Sequence, residues 1–246
     1  MARSKFIPGL RLGEGFSLMS YGPSNVGKTH LMADMLREEA KNGNIRYVNT
    51  VGEDGDSSVG GMFTTEVGEN IENMSDLKEF LGAHRKKPLR AIGLDSVRLV
   101  TNFALYAIIG EVRMPSAAKD GEKSKSYWGQ LRFDLEDIFI RLKQAAHYII
   151  ATCPADKDGA ADGGMTTPDL FGKLARGSAH WFDFVGHMRA EILGKGQIER
   201  TLSLAPSASF VTKQRLPELI LEPIKIPHGQ GGWLVVKNTI ERRASK

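Results

Sequence analysis

The chain has 246 residues, a hydrophobic content of 41%, a net charge of +4 and a single cysteine. This length suits one α/β domain with a small extension, and one cysteine excludes a disulfide framework. No apolar run approaches membrane-spanning length and no apolar signal core opens the chain, which predicts a cytoplasmic protein without a membrane partner. The mild positive charge permits nucleic-acid contact without requiring it.

The first half of the chain alternates predicted strands and helices. Residues 1–15 form a lead-in segment, and residues 16–246 form one domain. The predicted strands are short apolar runs at 16–21, 45–51 and 91–94. The predicted helices have apolar residues at spacings of three and four and cover 28–40, 75–81 and 97–109.

The second half begins with a polar segment at 111–126, which is interpreted as a mobile loop. A long amphipathic helix at 127–146 and a buried strand at 148–152 follow it. Two alternating runs then flank Gly194–Gly196 and predict an antiparallel β-hairpin with a tail. The order of elements predicts an α/β fold, a mostly parallel sheet flanked by helices with a C-terminal antiparallel extension.

A phosphate-binding loop pattern, G-x-x-x-x-G-K-T, follows the first strand. Its glycines allow a tight turn, its lysine places a positive charge on the β- and γ-phosphates, and its threonine hydroxyl suits Mg²⁺. A helix that begins here adds the positive end of its dipole. The predicted nucleotide-binding residues are Gly22, Pro23, Ser24, Asn25, Val26, Gly27, Lys28, Thr29 and His30, and the predicted cofactors are ATP and Mg²⁺.

Two acids are candidates for the remaining chemistry of hydrolysis. Asp95 ends an apolar strand, where it can serve the Mg²⁺ shell with Thr29 or instead cap the following helix. Residue 96 is serine, so a base must come from elsewhere. Glu53 follows the strand expected beside the phosphate loop and can polarise the attacking water. Asp54 and Asp56 are rivals, and all three acids can instead simply solvate a loop.

Polar residues at two further places complete the catalytic candidates. Thr152 ends a strand and can sense the γ-phosphate or bond its own backbone. Lys213 and Arg215 point to one side of an extended segment, from which they can stabilise charge on a neighbouring subunit's triphosphate. On spacing alone, ordinary solvated cations of a surface strand are the favoured interpretation of this pair.

The ordered set of segments resembles phage-encoded RecA-like ATPases, the nucleotide-binding proteins of single-strand annealing and recombination. The matching pieces are 21–29, 94–96, 128–129, 168–174, 182–185 and 213–217. The resemblance implies a RecA-like P-loop core that forms a head-to-tail homo-oligomer, ring or filament, with ATP between subunits. It implies that Glu53 activates water and that Lys213 and Arg215 act across the interface.

The same resemblance implies single-stranded DNA as a partner, facing the loops at 111–126 and 155–177, with Lys173 and Arg176 as phosphate contacts. A single-strand-binding or annealing protein is a further expected partner, and a phage protein would work in the host cytoplasm. One departure concerns the γ-phosphate sensor, because Cys153-Pro154 follow Thr152 where relatives often carry a polar residue such as histidine.

Three functions therefore remain open. The first is a DNA-stimulated ATPase of phage recombination or strand annealing. The second is a helicase, loader or packaging motor, which directional unwinding or double-strand translocation would distinguish. The third is a nucleotide-switched DNA-binding oligomer with little catalysis, which slow turnover independent of DNA would support.

Overall fold

The computed structural model describes residues 15–51, 67–156, 164–193, 197–227 and 231–244. Eight strands are described: β1 (Phe16–Gly22), β2 (Ile45–Thr50), β3 (Gly68–Ile71), β4 (Leu89–Asp95), β5 (Ala146–Pro154), β6 (Phe184–Leu193), β7 (Gln197–Ser203) and β8 (Ile224–Ile226). Seven α-helices are described: α1 (Lys28–Glu39), α2 (Met74–His84), α3 (Val97–Ile109), α4 (Ala117–Asp120), α5 (Lys123–Ala145), α6 (Lys173–Gly177) and α7 (Gly232–Ala244).

All eight strands belong to one sheet, in the order β3-β2-β4-β5-β1-β6-β7-β8. The pairs from β3 to β6 are parallel, whereas β6–β7 and β7–β8 are antiparallel. The predicted fold class is therefore confirmed, including the antiparallel hairpin. In a parallel sheet the carboxyl ends of the strands meet at one edge, where ligands bind in open α/β folds.

Helices cover both faces of this sheet. The core on one face includes apolar side chains of α2, α3 and α5. The core on the other face includes those of α1 and α7. The central strand β1 is buried along its whole length because both layers pack on it. Burial on both faces explains why β1, β4 and β5 read as nearly continuous apolar runs.

The expected loop at 111–126 is partly helical, and β2 is not adjacent to β1 in the sheet. The segment at 111–126 contains α4 and the start of α5. Asp120, at the end of α4, binds the guanidinium of Arg113 and accepts the amide of Ser116, which ties this segment together. The strand before Glu53, β2, was expected beside the phosphate loop; β4 and β5 separate it from β1, although its end at Thr50 bonds Asp95 next to that loop. It pairs with β3 and β4, since β5 occupies the position next to β1.

The predicted tail after the hairpin forms β8 and α7, and α7 docks on α1 through buried polar contacts. Asp34 on α1 accepts the backbone amide of Trp233 at 2.8 Å, which caps the start of α7. Glu39 accepts the indole N–H of Trp233 at 2.9 Å, the ammonium of Lys237 at 2.7 Å and the guanidinium of Arg90 at 2.7 Å. These contacts hold the helix that follows the phosphate loop against the C-terminal helix.

No helix within the described ranges is long and apolar enough to cross a membrane. The first 14 residues, most of the predicted lead-in segment, lie outside the described residues.

Candidate nucleotide-binding site

The phosphate loop connects β1 to α1 in the predicted strand–loop–helix arrangement. Gly22 lies against β6 so closely that a Cβ there would be 2.4 Å from the carbonyl oxygen of Met188. Gly27 has a φ of 95° and Asn25 a φ of 63°, both in the left-handed region. Glycine has little penalty at such angles, which explains the residue type at position 27. Pro23, Ser24 and Asn25 are exposed at the tip of the loop.

Lys28 begins α1 and directs its ammonium into the loop. Its Nζ donates to the carbonyl of Gly22 at 3.0 Å and to the carbonyl of Pro23 at 2.7 Å. A positive charge on the concave side of such a loop, at the start of a helix, is the arrangement that binds a polyphosphate. Thr29 follows it in the first turn of α1, and His30 is exposed.

Thr29, Asp95 and Thr152 come from three separate elements and meet at the carboxyl edge of the sheet. The hydroxyl of Thr29 donates to Oδ2 of Asp95 at 3.1 Å, and the hydroxyl of Thr152 donates to Oδ1 of the same carboxylate. The helix-cap alternative for Asp95 does not hold, because Ser96 occupies the N-cap position of α3. The hydroxyl of Thr152 orients Asp95 and does not bond its own backbone.

The end of β2 is hydrogen-bonded to the backbone at Asp95 and Ser96. Thr50 donates its hydroxyl to the backbone carbonyl of Asp95 at 2.7 Å and accepts the amide of Ser96 at 2.8 Å. Glu53, with its rivals Asp54 and Asp56, lies outside the described residues. Its assignment as the water-activating base stays a prediction, but the strand leading to it ends next to Asp95.

The Thr29 and Asp95 pair fits Mg²⁺ in donor type. Both supply oxygen atoms, which this hard cation prefers, and Mg²⁺ usually binds few protein ligands and keeps waters and substrate phosphates. Within the described ranges, no group of three or more His, Cys, Asp or Glu side chains is arranged to hold a metal ion. Thr29 and Asp95 are therefore the residues that would hold Mg²⁺ with a bound nucleotide.

Two aromatic residues beside the loop were missed by sequence reasoning. Burial raises the pKa of Tyr21, which keeps it a neutral phenol, and its hydroxyl donates to the carbonyl of Val211 at 2.8 Å. His187 is opposite Tyr21 on β6, and burial together with the positive charges of Arg189 and Lys28 lowers its pKa to about 4. The sequence signal that could have identified His187 is its position within the apolar first half of β6.

A cluster of charged residues lies at the opposite, amino edge of the sheet. We call it the Asp183 cluster; it consists of Lys143, Asp183, Lys213 and Arg215. Asp183 accepts the hydroxyl of Ser17 at 2.7 Å, and Lys143 and Arg215 lie 3.3 and 3.4 Å from its Oδ1. Lys143 and Arg215 share this carboxylate and Lys213 lies within reach of its field, so the cluster has a surplus of positive charge.

Lys213 is held within its own subunit. Its ammonium donates to the carbonyls of Ala179 at 2.6 Å and Phe182 at 2.8 Å. Burial, reinforced by the positive charges of Arg215 and Lys143, lowers its pKa to about 8. The predicted Lys213–Arg215 pair does share one side of its segment, and Arg215 is the more exposed member, with 51% of its side chain accessible. Sequence reasoning missed Lys143, which is far away along the chain.

The two predicted DNA contacts, Lys173 and Arg176, lie on the short helix α6. Both side chains are exposed, whereas Ala175 between them is buried. The segment that follows α6 supplies the two carbonyls that bind Lys213. The DNA role of these residues stays a prediction.

Comparison with known families gives one match. Residues 14–216 match the family model described as AAA domain. The match spans the loop, the Asp95 strand, the hairpin and the Lys213–Arg215 segment. No curated protein matches the chain.

Proposed function

The chain belongs to the AAA domain family, and its phosphate loop is that of a P-loop NTPase. From this premise we propose that it is an ATP-hydrolysing, RecA-like protein that acts on single-stranded DNA in phage recombination or strand annealing. ATP is bound between the subunits of a head-to-tail oligomer.

The observation that carries this proposal is the position of the Asp183 cluster relative to the phosphate loop. Asp183 is bonded to Ser17 at the start of β1, whereas the loop follows Gly22 at its end. Five residues of strand separate them by about 17 Å, at about 3.3 Å per residue. The cluster is therefore too far to reach the loop of its own subunit, and head-to-tail stacking would bring it to the loop of the next one.

The residues then divide between two subunits. One subunit supplies Lys28 to the β- and γ-phosphates, Thr29 and Asp95 to Mg²⁺, and Glu53 to the attacking water. The other supplies Arg215, with Lys213 behind it, to the charge that develops during transfer. Mg²⁺ would neutralise phosphate charge when it is bound.

The DNA part of the proposal rests on α6. Lys173 and Arg176 are exposed on this helix, and phosphate contacts by such side chains position nucleic acid without reading its sequence. The chain runs directly from α6 to the carbonyls that hold Lys213. DNA bound at α6 would therefore act on the segment that positions the cations offered to the neighbouring subunit.

The first test is ATP hydrolysis with and without single-stranded DNA, for the native protein, Lys28→Ala and Glu53→Gln. We expect stimulation by DNA and its loss in both variants, with ATP binding kept by Glu53→Gln. Turnover that ignores DNA while ATP remains bound would contradict the recombination-type function and favour the nucleotide-switched binding protein or a motor that needs another partner.

The second test asks whether active sites are shared between subunits. Lys28→Ala and Arg215→Ala should each be nearly inactive alone. After mixing and reassembly, about one quarter of the interfaces would join an intact loop to an intact Arg215. We expect the mixed oligomers to show about one quarter of the native ATP turnover. No recovery from mixed oligomers of normal size would contradict ATP binding between subunits.

A further inference from the structure

The β6–β7 hairpin extends past the end of β1 and forms a wall beside the phosphate loop. Tyr21 and His187 are register partners, so β6 runs level with the last residues of β1 and then continues to Leu193. The carbonyl of Met188 makes the close approach to Gly22 described above. Residues of the hairpin beyond this point therefore lie at the level of the loop.

One cation of this hairpin, Arg200, is on the face that covers α1. Leu202 pairs with Met188, and both are buried in the core that includes α1. Arg200 is two residues before Leu202 on β7, and side chains two apart in a strand share a face. Its partner across the ladder is Ala190, whose small side chain leaves room beside it.

Arg200 reaches back to the loop itself. A Cβ placed on Gly27 would be 2.9 Å from Nε of Arg200 and 3.9 Å from the central carbon of its guanidinium. Gly27 directly precedes Lys28, so two cations flank one turn of the loop. The backbone angle favours glycine at position 27, and the missing side chain lets Arg200 pack directly against the loop.

The guanidinium of Arg200 is not used within the described part of the chain. Its Nε is buried and has no hydrogen-bond partner among the described residues. A buried N–H without an acceptor is unfavourable, and a buried charged one more so. Its position next to the loop points to an acceptor that arrives with the ligand, and guanidinium groups match the oxygens of phosphate.

We infer that Arg200 is a nucleotide-binding residue that acts in cis, donating to the polyphosphate of the nucleoside triphosphate held by the loop. This inference rests on the proposed nucleotide site and adds a residue to it. Arg200 belongs to the same subunit as Lys28, in contrast to the Asp183 cluster, which is at the other edge of the sheet.

The test compares ATP and AMP binding by calorimetry for the native protein, Arg200→Gln, Arg200→Lys and Lys28→Ala. We expect Arg200→Gln to weaken ATP binding by roughly tenfold or more and AMP binding much less, because AMP lacks the β- and γ-phosphates. Arg200→Lys should recover part of the ATP affinity, since it keeps the charge but loses the planar fork.

Lys225→Gln is the matched control, because it removes one positive charge from the neighbouring strand β8, where Lys225 pairs with Glu199 on the surface. Its ATP affinity and melting temperature should equal those of the native protein. Arg200→Gln should also keep the native melting temperature without nucleotide. A lower melting temperature with equal losses for ATP and AMP would overturn the inference in favour of a structural role.

Unchanged ATP affinity in Arg200→Gln, with binding abolished in Lys28→Ala, would also overturn the inference and leave the proposed nucleotide site standing. If the native protein and Lys28→Ala both failed to bind ATP, the nucleotide site itself would be contradicted.

Discussion

Each edge of the sheet has one carboxylate with several side-chain contacts, and the groups that contact it differ between the two edges. At the carboxyl edge, Asp95 is oriented by the neutral hydroxyls of Thr29 and Thr152. At the amino edge, Asp183 is surrounded by cations, with Lys143 and Arg215 at its Oδ1. The hydroxyls of Thr29 and Thr152 carry no net charge, so these two bonds orient the Asp95 carboxylate without neutralising it. Asp183 instead binds cations whose summed positive charge exceeds its own negative charge.

The largest expected difference is between Asp95→Asn and Asp183→Asn. Asp95→Asn should lower ATP turnover by about a hundredfold while changing the free energy of unfolding by about 1 kcal/mol or less. Asp183→Asn should lower the free energy of unfolding by about 2–4 kcal/mol, because it leaves partly buried cations without their partner. Urea unfolding and steady-state phosphate release measure the two effects.

Asp137→Asn is the control for this pair, since Asp137 is exposed on α5 and pairs with Arg141 one helical turn away. It should change neither quantity. Equal effects of Asp95→Asn and Asp183→Asn on stability would remove the distinction between the two edges.

A smaller effect is expected at Glu39, a third carboxylate, which is bound by cations as Asp183 is. Burial alone would raise the pKa of Glu39, but hydrogen bonds from Lys237, Trp233 and Arg90 lower it below the ordinary value. A depressed carboxyl pKa stabilises the fold above the unfolded pKa of about 4.3, and this stabilisation is lost as pH falls through the lower folded value.

Glu39→Gln should therefore lower the free energy of unfolding by about 2 kcal/mol at pH 7 and by less at acid pH. Thermal unfolding between pH 3 and pH 7 gives the profile. Glu38→Gln changes the neighbouring carboxyl, which pairs with Lys41, and should leave the profile native-like. A constant difference between Glu39→Gln and the native protein at all pH values would contradict the linkage.

The pH dependence of turnover tests the surplus charge at the amino edge. Burial lowers the pKa of Lys213 to about 8, so its ammonium loses its proton as pH rises through that value. We expect turnover to fall by about tenfold between pH 7 and pH 9, because the positive charge that Lys213 adds behind Arg215 is lost. Lys213→Arg should stay active across this range, because arginine remains protonated.

The stability effect of Lys213 has the opposite sign. Its folded-state pKa is below the ordinary 10.5, so unfolding takes up a proton between about pH 8 and 10.5 and stability rises with pH there. A turnover decline that is identical in the native protein and Lys213→Arg would assign the pH dependence to another group.

The smallest expected effect concerns the neutral donors at the carboxyl edge. Thr152→Val keeps the shape of the side chain but removes the hydrogen bond to Asp95. One such bond is worth about 1 kcal/mol, so turnover should fall about fivefold with ATP affinity unchanged. Thr239→Val, which removes a hydroxyl bonded to its own helix, is the control. A loss of ATP affinity in Thr152→Val would instead support direct contact with the γ-phosphate.

Sequence patterns predicted the features that are encoded by residues close together along the chain. The loop, the strand ending at Asp95 and the β6–β7 hairpin are contiguous signals, and each was placed correctly. Strand order was not predicted, because the sequence does not say which parallel strands are neighbours. Lys143 and Asp183 are forty residues apart, so no spacing rule connects them.

Short and polar elements were also missed, for physical reasons. Three of the four residues of β3 are exposed, which removes the apolar pattern of a buried strand. In α7, the buried residues Trp233, Val236 and Ile240 have helical spacing. The partner of this helix is α1, which it contacts through Asp34, and no sequence pattern links these two distant segments. Arg200 resembles any strand cation until the hairpin brings it to Gly27.

The docking of α7 sets a limit on how far this protein can be shortened. The family match ends at residue 216, whereas Trp233 inserts into the core beside the helix that begins with Lys28. A version trimmed at the family boundary would lose the Trp233 amide that donates to Asp34 and two of the donors to Glu39, the Trp233 indole and the Lys237 ammonium. It would keep every residue of the nucleotide site. However, the face of α1 that α7 covers would be exposed to solvent, including Asp34, Glu39 and the apolar side chains around them. The boundary of the shared family domain is therefore not the boundary of the folding unit.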